Sequence, residues 1–171
     1  MCLTLKNFEE AIKVYNKALK VGPQNDFFYN NRAFAEIKLK RLDDAIESYN
    51  QAIFLSPLNH VYLKNRANLF MEKGITEQAI SDINEAIDIE PNKHEYYFLK
   101  GKWEYLAGLS QEAMMSFRRA CELEPSKKTY KDYYLAIRAD LGYKWTGFQI
   151  SSIVHDLNNS YLLGNILLIL Y

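Results

Sequence analysis

Proline is scarce in this 171-residue chain, with four residues, and cysteine is scarcer still, with two. Cys2 and Cys121 share no metal-ligand or redox spacing, which argues against a disulfide framework or a CxxC-type site. An excess of charge is also missing: Lys plus Arg and Asp plus Glu both number 21. The strongest electrostatic reason to expect a nucleic-acid or anionic-membrane partner is therefore absent. No HExxH, CxxC, GxGxxG, GxSxG or P-loop pattern occurs. The uncharged close of the chain, YLLGNILLILY, is eleven residues long, short of the roughly 20 that a membrane-spanning helix needs. The opening MCLTLKNFEE has neither a basic n-region nor a long apolar h-region, so no secretory signal is read and a cytoplasmic setting is expected. What remains is an ordinary globular balance, 49% apolar and 25% charged, in a chain long enough for a sizeable core.

The few prolines carry the organisation. They stand at 23, 57, 91 and 125, at intervals of 34 residues, and a fixed period of this size signals a repeat architecture. Small residues fall into the same register. Ala11, Ala45, Ala79 and Ala113 lie twelve residues before a proline, and Ala18, Ala52, Ala86 and Ala120 lie five before it. Large residues stand between them, at Tyr15, Tyr49, Ile83 and Phe117. Earlier in each unit Tyr29, Leu63 and Tyr97 precede Ala33, Ala67 and Gly101 by four residues. Small residues recurring beside large ones predict helices that approach closely.

Each unit reads as two antiparallel helices, A and B. In one unit Asp26–Leu39 is helix A and Leu42–Leu55 is helix B, joined by a turn at KRL. Gly74 and Gly108 mark the equivalent turns, where a left-handed residue is often needed. Thr76 and Ser110 follow as N-caps, and NFEE at 7–10 gives a helix start at Asn7. Asn30 and Asn31 lie inside a helix although asparagine is a poor helix former.

The stretches YNNRAFAEIKLKRLDDAIESYNQAIFLSP and LKNRANLFMEKGITEQAISDINEAIDIEP resemble the tetratricopeptide repeat, with small residues at its eighth, twentieth and twenty-seventh positions and proline at its thirty-second. The resemblance covers residues 7 to about 141 and implies an all-α, right-handed α-solenoid. The expected organisation is a repeat array over 1–141: a half repeat at 7–25, full repeats at 26–59, 60–93 and 94–127, and helix A of a fifth from 128. A degenerate fifth helix B and an apolar capping helix are expected over 142–171. The seventh position departs from the family's apolar habit, with Arg32, Arg66 and Lys100, as does the eleventh with Glu36 and Glu104. Arg32–Glu36 and Lys100–Glu104 stand four apart, which predicts salt bridges along their helices.

Asn7–Val21 reads as a helix B without its helix A, so either another chain covers it or the sequence is part of a longer protein. The second is the preferred expectation, since terminal repeats normally cap. The charge-poor tail after 143 reads as a cap, as a partner contact, or as a stretch foreign to the natural product.

Candidates for chemistry are few. His60 and His94 occupy one position of successive repeats, which the repeat itself explains. Paired carboxylates such as Asp43–Asp44 and Glu9–Glu10 sit in the first turns of helices, where they complement the macrodipole. No catalytic residue, metal or cofactor is expected.

The resemblance implies instead a concave groove lined by A helices. Its expected peptide-binding residues are Phe27, Asn30, Asn31 and Phe34, then Lys64, Asn65 and Asn68, then Phe98 and Lys102. Asn31 and Asn65 are equivalent residues one repeat apart and can read a peptide backbone with paired donors and acceptors. This is similar to the asparagine ladder of O-linked N-acetylglucosamine transferase, but Leu99 ends it after two rungs. The family's two-carboxylate clamp, used on acidic chaperone tails, needs cations where this chain has Val61 and Asn65, or Glu95 and Leu99 in the other register. The expected function is a non-enzymatic adaptor or scaffold holding an extended partner segment. The alternatives are a structural subunit buried through its ends, or the regulatory repeat region of a longer enzyme.

Overall fold

Each segment between prolines contains two apolar stripes at helical spacing, parted by one residue that can take a left-handed backbone. The computed structural model describes residues 2–142. The helices are α1 (Cys2–Val21), α2 (Asp26–Lys38), α3 (Leu42–Leu55), α4 (His60–Glu72), α5 (Thr76–Ile89), α6 (His94–Leu106), α7 (Ser110–Leu123) and α8 (Lys128–Asp140). No strand occurs among the described residues, and the fold class is the all-α solenoid of helical repeats. The sequence predicts about ten helices at two per repeat plus partial ends. Eight are present among the described residues. The degenerate helix B and the capping helix expected beyond Gly142 lie outside those residues.

Contacts divide the chain into two units, residues 1–91 and 92–171. In the first, α2 pairs with α3 and α4 with α5, while α1 packs on α2 and α3 on α4. In the second, α6 pairs with α7 and α8 packs on α7.

Three expected helix starts are corrected. α1 begins at Cys2, not at Asn7. CLTLK holds no glycine or proline, and lengthening a formed helix is easy compared with starting one. Thr76 and Ser110 are first helical residues and not N-caps; Ile75 and Leu109 take the cap position without a side-chain bond. The turn geometry causes this. Gly74 and Gly108 sit at φ +75° and +79°, and the next N–H folds back onto Phe70 O and Glu104 O, both at 2.8 Å. α2 and α4 do have side-chain caps, Asn25 accepting from Phe27 N–H at 2.9 Å and Asn59 from Val61 N–H at 3.2 Å.

The alanines mark the close approaches. Ala33, Ala45, Ala52, Ala67, Ala79, Ala86, Ala113 and Ala120 are all fully buried. Gly101 replaces alanine in the α6–α7 pair because a Cβ there would stand 3.0 Å from the Phe117 ring.

The seventh-position cations are built into the same contacts. Arg32 on α2 donates to Ser48 Oγ on α3 at 2.9 Å and to Asn16 Oδ1 on α1 at 3.0 Å. Ser48 in turn donates to buried Glu36 at 2.6 Å, and Glu36 lies 3.4 Å from Arg32. Arg66 on α4 makes a two-pronged pair with Asp82 on α5, at 2.7 and 2.8 Å, and donates to Asn50 on α3 at 2.8 Å. In the α6–α7 pair Lys100 lies 3.6 Å from Glu104, which accepts from Ser116 at 2.6 Å. The expected Arg32–Glu36 and Lys100–Glu104 bridges are present, and they extend across the helix pair. Burial pushes the carboxyls of Glu36 and Glu104 above their ordinary range, opposed by the serine bond and the cation.

Asp82→Ala would leave Arg66 largely buried without its acid. A loss of about 3 kcal/mol is expected, read from the urea midpoint, and Arg66→Met with Asp82→Leu should recover most of it.

Lys40 holds the turn position of Gly74, Gly108 and Gly142 at φ 60°. Left-handed backbone costs a residue with a Cβ about 1–2 kcal/mol. Its exposed ion pair with Glu72 at 3.2 Å offsets about 1 kcal/mol at most. Lys40→Gly should therefore raise the thermal midpoint, whereas Gly74→Lys should lower it.

Candidate partner-binding face

A residue of helix A that no neighbouring helix covers remains available to a partner. On α2 this applies to Phe27 and Phe34, which are 58% and 52% exposed. They stand seven residues apart, on one face of the helix. Asn30 and Asn31 lie between them, half-buried. Among the described residues their side chains bond to one another, Asn30 Nδ2 donating to Asn31 Oδ1 at 3.4 Å. Phe34 also meets Phe8 of α1 edge to face, with ring centres 6.3 Å apart, and carries the Lys38 ammonium 5.1 Å above its face.

On α4, Val61 and Asn68 are exposed, Lys64 and Asn65 are half-buried, and Met71 is buried. Asn65 bonds to the Tyr49 hydroxyl of α3. Tyr49 is a core residue, packed with Ala33, Ala45, Ala52 and Tyr62. The two equivalent asparagines therefore differ, Asn65 bonding to the core and Asn31 to its own neighbour.

In the second unit Lys102 is half-buried, and burial lowers the pKa of its ammonium. Phe98 is turned toward the core. Its ring lies 4.6 Å from Tyr130, 5.1 Å from Tyr133 and 5.5 Å from Phe117.

The first residue of a repeat has a structural partner, which bears on the histidines. Asp26 accepts from Ser56 at 2.8 Å and from Tyr62 of the next repeat at 3.1 Å. The Ser56 bond does most to hold the Asp26 carboxyl below its ordinary range. Burial, helped by Asp26, pushes the Tyr62 phenol up to about 12. His94 makes the same link, its Nδ1 standing 2.9 Å from the Tyr130 hydroxyl. Among the described residues no three His, Cys, Asp or Glu side chains converge, and no helix is long and apolar enough to cross a membrane. His155 lies outside the described residues.

Known proteins agree with this architecture. The profile of the tetratricopeptide repeat matches residues 3–60. The TPR domain of Arabidopsis OM64 is 30% identical, over 67% of this chain and 94% of that one, with a TM-score of 0.60. The first TPR of Spaghetti (RPAP3), solved bound to the HSP90 peptide SRMEEVD, is 23% identical over 68% and 93% of the two chains, with a TM-score of 0.63. The crystal structure of MamA is 18% identical over 82% of each chain, with a TM-score of 0.73. These last two are likenesses of fold. No curated protein sequence matches the chain. The chain belongs to the tetratricopeptide repeat family, a class of protein-interaction modules.

The two asparagines should separate on substitution. Asn65→Ala leaves the buried Tyr49 hydroxyl unpaired and should cost about 1–3 kcal/mol. Asn31→Ala should be neutral or stabilise by a few tenths of a kcal/mol, alanine being the better helix former. Paired denaturant titrations check both.

Proposed function

We propose that the chain is a non-enzymatic adaptor or scaffold that holds an extended segment of a partner protein on the faces of its A helices. The observation that carries this reading is the exposure of Phe27 and Phe34 on one face of α2. The amides of Asn30 and Asn31, bonded to one another, keep donors and acceptors for a peptide backbone. Lys64 and Asn68 continue the face on α4, and Asn65 contributes what its bond to Tyr49 leaves open. In the second unit, taken by itself, Lys102 is a half-buried cation on α6 and a candidate polar contact, while Phe98 packs against Tyr130, Tyr133 and Phe117. No residue is assigned to catalysis, metal or cofactor.

The RPAP3 domain supports peptide holding as a use of this fold, but its acidic ligand does not carry over. Val61 and Asn65, or Glu95 and Leu99, replace the cations that a clamp on a terminal dicarboxylate requires. A cytoplasmic setting goes with this reading and with the free thiol of Cys121.

A second reading, a structural subunit within an assembly, draws on Phe54 and Leu58. They are 79% and 78% exposed, at positions where other repeats have Lys20, Asp88 and Glu122, or Gln24, Asn92 and Ser126.

Selection of a random-peptide display library on the immobilised chain tests the first reading. Selected peptides should bind the Phe27→Ser, Phe34→Ser double variant at least about tenfold more weakly, equivalent to 1.4 kcal/mol, with its thermal midpoint little changed. Undiminished binding would remove the α2 face from the site. Loss of binding on Phe54→Ser with Leu58→Ser instead would favour the second reading.

A further inference from the structure

The α2–α4 face has a chemical bias that narrows what it can hold. The family resemblance puts on this face Phe27, Asn30, Asn31, Phe34, Ile37 and Lys38 of α2 and Val61, Lys64, Asn65, Asn68, Met71 and Glu72 of α4, although Ile37 packs against the core and Met71 is buried. Glu72 is the one acid among these twelve, and it is engaged with Lys40 at 3.2 Å. Lys38 is exposed and rests on the Phe34 ring, with no carboxylate partner among the described residues. The face therefore offers apolar surface and positive charge, and its carboxylate is already in use.

The sharpest part of the face is the corner formed by Phe8, Phe34 and Lys38. The rings meet at 72°, the Phe34 ring is half open to solvent, and the ammonium stands 5.1 Å from its centre. An apolar side chain fits against the two rings. A carboxylate can reach the ammonium without disturbing the cation–π contact, since the ammonium has three donors. In an extended chain, successive side chains point to opposite sides, and those on one side recur every second residue, about 7 Å apart. The ammonium stands 5.1 Å from the ring centre, within reach of two side chains on the same side of such a strand, whereas adjacent residues would face apart.

We infer that this face takes an extended segment in which a large apolar residue is followed two positions later by an acidic one. The apolar side chain packs on Phe8 and Phe34, and the carboxylate pairs with Lys38. This rests on the peptide-holding reading above and adds the chemistry of the partner. It requires no free C-terminus, which sets it apart from a terminal-carboxylate clamp.

The test uses the full chain and fluorescein-labelled peptides with both ends blocked by acetyl and amide groups. The first repeats Leu-Ser-Glu. Its controls replace Glu by Gln, replace Glu by Lys, or move Glu next to Leu. By fluorescence anisotropy the Leu-Ser-Glu peptide should bind about tenfold tighter than the Gln peptide. The Lys and adjacent-Glu peptides should be weaker as well. Lys38→Met should abolish the preference for Glu over Gln while leaving the Gln peptide unchanged, and Lys38→Arg should keep it. Phe34→Ser should weaken all of them, with circular dichroism reporting that the fold is retained. Rising salt should shrink the Glu preference. Equal binding of the Glu and Gln peptides, a preference that survives Lys38→Met, or no binding of Leu-Ser-Glu would each overturn the inference. If library-selected peptides still bind through Phe27 and Phe34, only this narrower claim falls. If they do not, the parent reading falls with it.

Discussion

In the first unit each A helix, α2 and α4, is wedged between two B helices, and one long cation at its middle reaches both. Arg32 ties α1 to α3 through Asn16 and Ser48, and Arg66 ties α3 to α5 through Asn50 and Asp82. The alanines around these contacts let the backbones come close enough for the cation to span the gap. Without the cation, the buried serine and carboxylate groups would be stranded in a nearly water-free layer. Without the alanines, the cation could not reach. Guanidinium suits this place because its planar fork can serve several acceptors at once. Lys100 has a single nitrogen, and in its helix pair the serine contact to Glu104 is the shorter one.

This arrangement directs the rest of helix A outward. Once the seventh, eighth and eleventh positions are given to the helix pair, the second and ninth are left largely exposed in α2, and they hold phenylalanine. Burying every apolar residue would require a partner, and a repeat array lets adjacent A helices add their faces along one direction. The outer face can thus vary in chemistry from repeat to repeat, as Phe27 to Val61 and Phe34 to Asn68 show, while the packed layer keeps its register.

Much of the fold was legible in the sequence because its signals are periodic and steric. Proline stops helices regardless of context, and an alanine that returns every 34 residues marks a place where backbones meet. α3 spans Leu42–Leu55 as expected, and α2 ends one residue earlier than expected. The misplaced starts arose where a local signal competed with a cooperative one. Asn7 looks like a cap, but a helix can run through it. Thr76 looks like a cap, but the preceding left-handed glycine sets the turn first. Ser48, Asp82 and Ser116 recur at 34 residues as plainly as the alanines do, and reading polar residues by period would have found them. The division of the asparagines was not legible, because position alone says nothing of which neighbour a side chain meets. Phe98 follows the same logic: the register aims it at the groove, and the aromatic neighbours on α7 and α8 draw it inward.

The acid that answers each buried cation does not stay on one helix. In the α2–α3 pair it is Glu36, on the A helix, with serine opposite; in the α4–α5 pair it is Asp82, on the B helix, with Phe70 in the other place. Arrays of similar repeats carry a hazard during folding, since a helix can pair one unit out of frame with little steric penalty. Here the frame is checked by charge. If α2 closed on α5, Glu36 and Asp82 would crowd a single arginine; if α4 closed on α3, Arg66 would find only Ser48 and no acid at all. A slip by one repeat thus fails at its centre even though its alanines would fit, and the neighbouring pairs act as distinct lock and key within one repetitive chain.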